Sequence, residues 1–283
     1  MEKIYGVIGS PISHSMSPQM HNDLFNFYNI HARYHAFHVE KGNVKKAIEG
    51  IRALEISGCN ITIPHKIEVM EYLDEIEAVA ANIGAVNTVV NQDGKLIGYN
   101  TDGNGFIRSL HTVIEQSALQ HANVLIIGAG GAARAIFISL AASGVKNIDI
   151  ANRTIEKAEM IISDCQYEVN SVALSMKDAE MNLGKYRVMI NTTSIGMSPK
   201  VDELPISLQH LSPQSIVSDI IYNPLQTKIL IDAREKGAIT QNGIGMFVNQ
   251  GALAFEKWTG IFPDTNRMET TVTNILGGQY ANR

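Results

Sequence analysis

The stretch that decides the fold is Val124-Leu125-Ile126-Ile127-Gly128-Ala129-Gly130-Gly131-Ala132-Ala133-Arg134. Four apolar residues read as a buried strand, and the apolar run that continues to Ala142 reads as a helix. Between them stands G-x-G-x-x-A, an accepted variant of the dinucleotide-binding fingerprint. Gly128 permits a tight turn, Gly130 lets the backbone approach a pyrophosphate, and Ala133 is small enough for close helix–sheet packing. The helix start then offers N–H groups and a positive dipole end to phosphates. Without a ligand, the same turn would serve only helix–strand packing.

The tip of the next strand bears on the choice of cofactor. Ile148–Ala151 reads as that strand, followed by Asn152-Arg153-Thr154. An NAD site usually places a carboxylate there for the ribose 2′-hydroxyl. None is present, because Asp149 lies within the strand. Arg153 can fork onto a 2′-phosphate, with Asn152 and Thr154 donating to it, so the pattern favours NADP. The bland alternative makes Thr154 a helix N-cap and leaves Arg153 solvated.

Outward from this core, strands and helices alternate in both directions. On the C-terminal side, Thr154–Ser163 reads as a helix and Val188–Asn191 and Ile216–Ile220 as strands; apolar helical stretches at Ile244–Trp258 and Met268–Leu276 follow. On the N-terminal side, Ile4–Gly9, Tyr34–His38 and Gly58–Ile63 read as strands separated by helices at Pro18–Tyr28 and Val44–Leu54. Ser17 is the expected N-cap of the first helix, with Pro18 at its first position. This order favours a parallel sheet covered by helices. Ala85–Asn91 and Lys95–Tyr99 flank Gln92-Asp93-Gly94, a hairpin signal. A helix is expected from Asp102 to about Glu115, and Gln116–Asn123 reads as a polar stretch. We therefore expect an α/β protein of two α/β domains. Residues 1–101, completed by 244–283, form one; residues 102–243 form a doubly wound Rossmann domain.

The chain has 283 residues, 45% hydrophobic and 18% charged, with a formal net charge of −5. Nucleic acid needs surplus Lys and Arg and is not an expected partner. No run reaches the ~18 apolar residues of a membrane span, and the start lacks the pattern of a signal peptide. The two cysteines, Cys59 and Cys165, suggest no disulfide framework and fit a reducing cytoplasm. His31, His35 and His38 are close in sequence but straddle a strand, and no Cys or carboxylate cluster completes a metal site. No metal is expected.

The first region carries three polar segments where a bland α/β domain would be apolar. They are Gly9-Ser10-Pro11-Ile12-Ser13-His14-Ser15-Met16-Ser17-Pro18, Asn60-Ile61-Thr62-Ile63-Pro64-His65-Lys66 and Gly98-Tyr99-Asn100-Thr101-Asp102-Gly103. Gly84-Ala85-Val86-Asn87-Thr88 precedes the third, and Asn249-Gln250-Gly251 lies in a late helix. In this order, around an NADP fingerprint, they resemble the shikimate dehydrogenase family over nearly the whole chain.

The resemblance implies reversible NADPH-dependent reduction of 3-dehydroshikimate to shikimate, in the biosynthesis of chorismate and aromatic amino acids. It implies a first domain that binds substrate and a second that binds NADP. Lys66 and Asp102 would be the catalytic pair. Ser15 and Ser17 would hold the substrate carboxylate with help from Tyr222. Thr62, Asn87 and Gln250 would hold ring hydroxyls or the ketone. Gly128, Ala129, Gly130, Gly131, Ala132 and Ala133 would hold the pyrophosphate, and Asn152, Arg153 and Thr154 the adenosine phosphate. Thr192, Ile220, Gly243 and Met246 would line the nicotinamide side. The chemistry is consistent: a Lys ammonium can protonate a developing alkoxide, and a carboxylate can keep it charged. The bland readings make Lys66 a solvated residue, Asp102 an N-cap, and Ser15 and Ser17 turn and cap residues. Two rival functions are a quinate/shikimate dehydrogenase using NAD as well, and a ligand-sensing homologue without turnover. A cytoplasmic monomer or homodimer is expected.

Overall fold

A computed structural model describes residues 2–281. In chain order its elements are β1 (Lys3–Gly9), α1 (Ser17–Phe27), β2 (Ala32–His38), α2 (Val44–Ala53), β3 (Gly58–Ile61), β4 (Glu75–Ile76), α3 (Ala78–Ile83), β5 (Thr88–Gln92), β6 (Lys95–Tyr99), α4 (Asp102–Leu110) and α5 (Gln116–Gln120). They continue with β7 (Asn123–Ile127), α6 (Gly131–Ala142), β8 (Asn147–Ala151), α7 (Ile155–Ser163), β9 (Ala173–Leu174), α8 (Met176–Met181), β10 (Val188–Asn191), β11 (Ile216–Asp219), α9 (Lys228–Glu235), β12 (Ile239–Gln241), α10 (Ile244–Thr259) and α11 (Thr265–Ala281). The chain folds as two compact units. One runs to Thr101 and resumes at Val248; the other is Asp102–Phe247.

The first unit is built on a six-stranded sheet in the order β2-β1-β3-β5-β6-β4. β1 pairs in parallel with β2 and β3, as a β-α-β-α-β order requires. The sheet is not parallel throughout, however. β5 runs antiparallel to β3 and β6 because the hairpin reverses the chain. Asp93 and Gly94 make that reversal with φ of 52° and 92°, the left-handed pair a two-residue hairpin needs. On one side Ile8, Ile48, Ile51, Val69, Val89 and Leu96 belong to an apolar core. Elsewhere in the unit α1 buries Met20, His21, Leu24 and Phe25 at helical spacing. Phe25 and His21 meet Phe255 and Trp258 of α10, and the Trp258 indole N–H donates to the Val89 carbonyl at 3.0 Å.

The second unit is a six-stranded, wholly parallel sheet in the order β12-β11-β10-β7-β8-β9. Numbered within the unit this is 3-2-1-4-5-6 read from the far edge, the doubly wound order, with its switch point between β7 and β10. Val124, Leu125, Ile126 and Ile127 are fully buried, as expected of a strand covered on both faces. α4 crosses α6 closely: a Cβ at Gly103 would overlap the Ser139 side chain and the Ala135 carbonyl.

Some expected boundaries shift. α1 begins at Ser17 with Met16 at the N-cap and no side-chain cap, so Ser17 is not the cap. The Ser15 hydroxyl instead accepts the Ser17 N–H at 3.4 Å, and the chain is already helical at Ser17. α4 stops at Leu110 rather than near Glu115. There Thr112 turns its hydroxyl onto the Ser109 carbonyl at 2.9 Å, in a β-branched run that disfavours helix. The polar stretch Gln116–Asn123 contains the short helix α5.

Candidate active site

The fingerprint turn sits at the C-terminal end of β7, beside the switch point where open parallel sheets bind ligands. Gly128 has φ 107°, and its N–H donates to the Ala151 carbonyl at 2.8 Å. A side chain there would be strained and would press on Thr192 and Thr193. Gly130 and Gly131 are exposed, and a Cβ on either would meet nothing within 4 Å. No side chain caps α6, whose first turn opens at Gly130. Ala133 is fully buried at the helix–sheet contact, while Ala129 and Ala132 are half-buried. An open glycine cradle on an uncapped helix start fits a pyrophosphate.

At the tip of β8, Arg153 and Thr154 are exposed and Asn152 is half-buried. Thr154 occupies the N-cap position of α7, but its side chain makes no capping bond. Asn152 donates its amide to the Thr154 carbonyl at 2.7 Å, bending the segment into a tight turn. Donors and a guanidinium gather here, and the strand's own carboxylate, Asp149, is engaged by Tyr186 and Lys185. This donor set fits a phosphate better than a ribose hydroxyl.

On the other side of the switch point, Thr192 bonds the Ile127 carbonyl through both its N–H, at 2.9 Å, and its hydroxyl, at 2.7 Å. Ile220 and Gly243 are brought together. The Gly243 N–H donates to the Ile221 carbonyl at 2.9 Å, and a Cβ on Gly243 would overlap the Ile220 carbonyl. Met246 is half-buried on α10, and the Tyr222 ring packs on Phe247 at 5.2 Å. Sequence reasoning passed over Asp219, which fastens this loop. Its carboxylate accepts from Asn191 at 3.0 Å, Thr227 at 2.6 Å and the Ile221 N–H at 3.0 Å. Burial pushes this carboxyl up to about 6 despite those bonds. Its only sequence signal was a polar Ser218-Asp219 pair ending an apolar strand.

In the first unit, the polar segments collect at the C-terminal ends of β1 and β3. Thr62 follows β3 and donates its N–H to the Ile8 carbonyl at 2.9 Å; Ser10 donates to the Ile63 carbonyl at 3.0 Å. A Cβ on Gly9 would overlap the Thr62 methyl, so the first segment passes directly beside the second. Lys66 is half-buried, and its carbonyl accepts the Val86 N–H at 2.8 Å. That bond ties it to the segment carrying Asn87. Asn87 is buried and holds Thr101, the residue before Asp102, through the Thr101 N–H at 2.8 Å. Ser15 is half-buried in the β1–α1 loop. Gln250 lies on α10 next to Gly251, where a Cβ would press on the Met20 side chain, so α10 crosses α1 closely at this point. Asp102 is the first residue of α4 rather than its N-cap. Among the described residues no group of three or more His, Cys, Asp or Glu side chains is placed to hold a metal ion.

The comparisons agree along the chain. Residues 7–89 match the shikimate dehydrogenase substrate binding domain, 111–200 the shikimate / quinate 5-dehydrogenase model, and 243–273 the shikimate 5′-dehydrogenase C-terminal domain. A curated NADP⁺-dependent shikimate dehydrogenase of Bacillus cereus is 56% identical over 98% of this chain and all of its own. A crystal structure of a shikimate dehydrogenase in complex with NADP⁺ superposes with a TM-score of 0.89 at 43% identity, covering 96% of this chain and 95% of that one. The Listeria monocytogenes shikimate 5-dehydrogenase, solved with shikimate and NAD, gives 0.89 at 36% identity over 95% and 96%. The fold and the glycine turn are those of a dinucleotide-dependent oxidoreductase. The chain belongs to the shikimate dehydrogenase family.

Proposed function

We propose that this chain catalyses the reversible NADPH-dependent reduction of 3-dehydroshikimate to shikimate, a step toward chorismate and the aromatic amino acids. The observation that carries the reading is the full-length likeness to NADP⁺-dependent shikimate dehydrogenases; Lys66, Asp102 and Arg153 lie in the sequence segments that suggested it.

Bound NADPH supplies the hydride that adds to the ketone carbon. Lys66 stabilises the negative charge that develops on the ketone oxygen and gives it a proton. Asp102 keeps the ammonium charged and oriented, or shares that proton with it. Ser15, Ser17 and Tyr222 bind the substrate carboxylate as neutral donors, and Thr62, Asn87 and Gln250 orient the ring. The turn from Gly128 to Ala133 holds the pyrophosphate. Asn152, Arg153 and Thr154 hold the 2′-phosphate. Thr192, Ile220, Gly243 and Met246 border the nicotinamide. On this reading, the unit resuming at Val248 binds substrate and Asp102–Phe247 binds NADP. Cys59 and Cys165 are both free thiols, which suits a reducing cytoplasm, and the assembly is a monomer or homodimer.

The test is an initial-rate assay of shikimate and quinate, each with NADP⁺ and NAD⁺. Turnover dominated by shikimate with NADP⁺ is the expected result. Comparable rates with quinate or NAD⁺ would move the chain to the dual-specificity enzymes, and no turnover would make it a ligand sensor.

A further inference from the structure

We infer that Asp219 and Asn191 are positioning residues for hydride transfer: their paired side chains set the loops that follow β10 and β11, and with them Ile220 and Tyr222. The inference deepens the proposed function and rests on it, since Ile220 is there assigned to the nicotinamide and Tyr222 to the substrate carboxylate. Every residue of the array lies in the second unit.

The two residues end neighbouring strands. β10 closes at Asn191 and β11 at Asp219, and the parallel register sets them side by side. Each turns the chain onward with its own side chain. Asn191 Oδ1 accepts the Thr193 N–H at 3.1 Å, and Asp219 Oδ1 accepts the Ile221 N–H at 3.0 Å. A backbone N–H can only donate, so the Asn191 oxygen faces Thr193. Its amide nitrogen therefore faces Asp219 and donates to Oδ1 at 3.0 Å. The carboxylate demands the same orientation from the other end, because it can only accept.

Both loops hang on this pair. Thr193 gives its hydroxyl to Asn191 Oδ1 at 2.8 Å and accepts the Ile195 N–H at 3.2 Å. Its methyl stands against the glycine turn, where a Cβ on Gly128 would meet it at 3.0 Å. On the other side, the Ile220 N–H donates to the Asn191 main-chain carbonyl at 3.1 Å. The two amides that lead to Tyr222 are thus held by Asn191 and Asp219. Thr227 closes the far end of that loop, its hydroxyl donating to Asp219 Oδ2 at 2.6 Å. Thr227 stands at the N-cap of α9 but makes no capping bond, so its hydroxyl serves the loop and not the helix.

Asn191, Asp219 and Thr227 are 0%, 1% and 0% exposed. A leucine would fill the place of Asp219 without the cost of burying a carboxylate. What the carboxylate adds is direction, since donors from the end of β10, the start of the loop and the start of α9 converge on it.

The experiment compares Asp219→Leu, Asp219→Asn and Thr227→Val at pH 8, above the value of about 6 to which burial raises this carboxyl. Asn can keep an oxygen toward Asn191 and Ile221 and turn its amide to the Thr227 oxygen. Stopped flow gives the single-turnover rate constant for NADP⁺ reduction by bound shikimate; loss of folded protein lowers the amplitude and leaves that constant alone. Asp219→Leu should lower the constant about 10- to 100-fold, the scale of a misplaced reacting group. Thr227→Val should lower it about two- to ten-fold, the worth of one hydrogen bond. Asp219→Asn should stay within about three-fold of the parent. Parental constants in Asp219→Leu and Thr227→Val, with only Tm or amplitude reduced, would overturn the positioning role. So would an Asp219→Asn as slow as Asp219→Leu. If Asp219→Leu does not fold, Thr227→Val decides. A parent that turns over no shikimate would mark a failure of the proposed function instead. NADP⁺ calorimetry then judges the pair: Thr227→Val should weaken binding and Asp219→Asn should not, and unchanged affinity in Thr227→Val would overturn the inference.

Discussion

The hydroxyl of Tyr186, two residues before β10, donates to the Asp149 carboxylate on β8 at 2.6 Å. Lys185 and the Val172 N–H reach the same carboxylate at 3.2 and 2.9 Å. Asp149 lies on the strand whose tip chooses between NAD and NADP, yet its oxygens are taken up by the protein. On the proposed reading, the cofactor's adenosine end falls to Asn152, Arg153 and Thr154. Arg153→Ala should weaken NADPH by about 1.5–3 kcal/mol, the worth of a hydrogen bond to a charged group. Titration calorimetry with NADPH and NADH decides it, since an equal loss for both would remove the 2′-phosphate role.

Lys66 is the proposed proton donor, half-buried and tied through its carbonyl to Val86. Lys66→Ala should lower kcat by about 10²–10⁴-fold, the usual worth of an acid–base group. A raised KM with kcat intact would make Lys66 a binding residue only. Stopped-flow and steady-state rates separate the two.

His21 is wholly buried among Tyr34, Phe255 and Trp258, and among the described residues neither ring nitrogen finds a partner. Burial pushes its pKa down to about 3. The unfolded value is higher, about 6.5. Between the two, the unfolded chain binds a proton that the native chain refuses. This contribution to stability is complete above about pH 6.5 and is lost as pH falls toward 3, at up to about 1.4 kcal/mol per pH unit. Melting at pH 7 and pH 5 should show a smaller acid loss in His21→Phe than in the parent. Equal losses would count against the buried imidazole as the source.

Gly243 carries no positive φ, yet it tolerates no side chain, because a Cβ would overlap the Ile220 carbonyl. The obstacle is backbone, so no rotamer change relieves it. Gly243→Ala should cost about 1–3 kcal/mol, seen as a lower Tm, and should weaken NADPH because Ile220 is displaced with it. A variant with parental Tm and NADPH affinity would show that the backbone yields.

The parts legible in the sequence were those with strong local signals. α6 and β10 fell on the expected residues because their runs are mostly apolar and bounded. The hairpin followed from Asp93-Gly94, whose left-handed φ values few other pairs adopt. The edge strands β4, β9 and β12 span only two or three residues, too short to show alternation. The antiparallel pairing of β5 with β3 was hidden because it joins residues some thirty apart with no local signal. Among site residues, those in motifs could be named. Asn60 was quoted only as part of its motif, and its bonds to Tyr34 and Thr88 span 26 and 28 residues, a relation no local pattern carries. His21 looked like any helical residue until its aromatic neighbours surrounded it.

The hydrogen bond from Trp258 to Val89 bears on how the chain is made. Its two ends are 169 residues apart, with the whole of Asp102–Phe247 between them. A ribosome releasing the chain from its N-terminus delivers β5 long before the indole that closes over it. The parallel sheet β7–β12 lies entirely within the intervening segment and has all its strands by the time residue 247 emerges. The unit that starts first is therefore the one that finishes last, and the inserted unit can be complete while the N-terminal unit still awaits its closing helices.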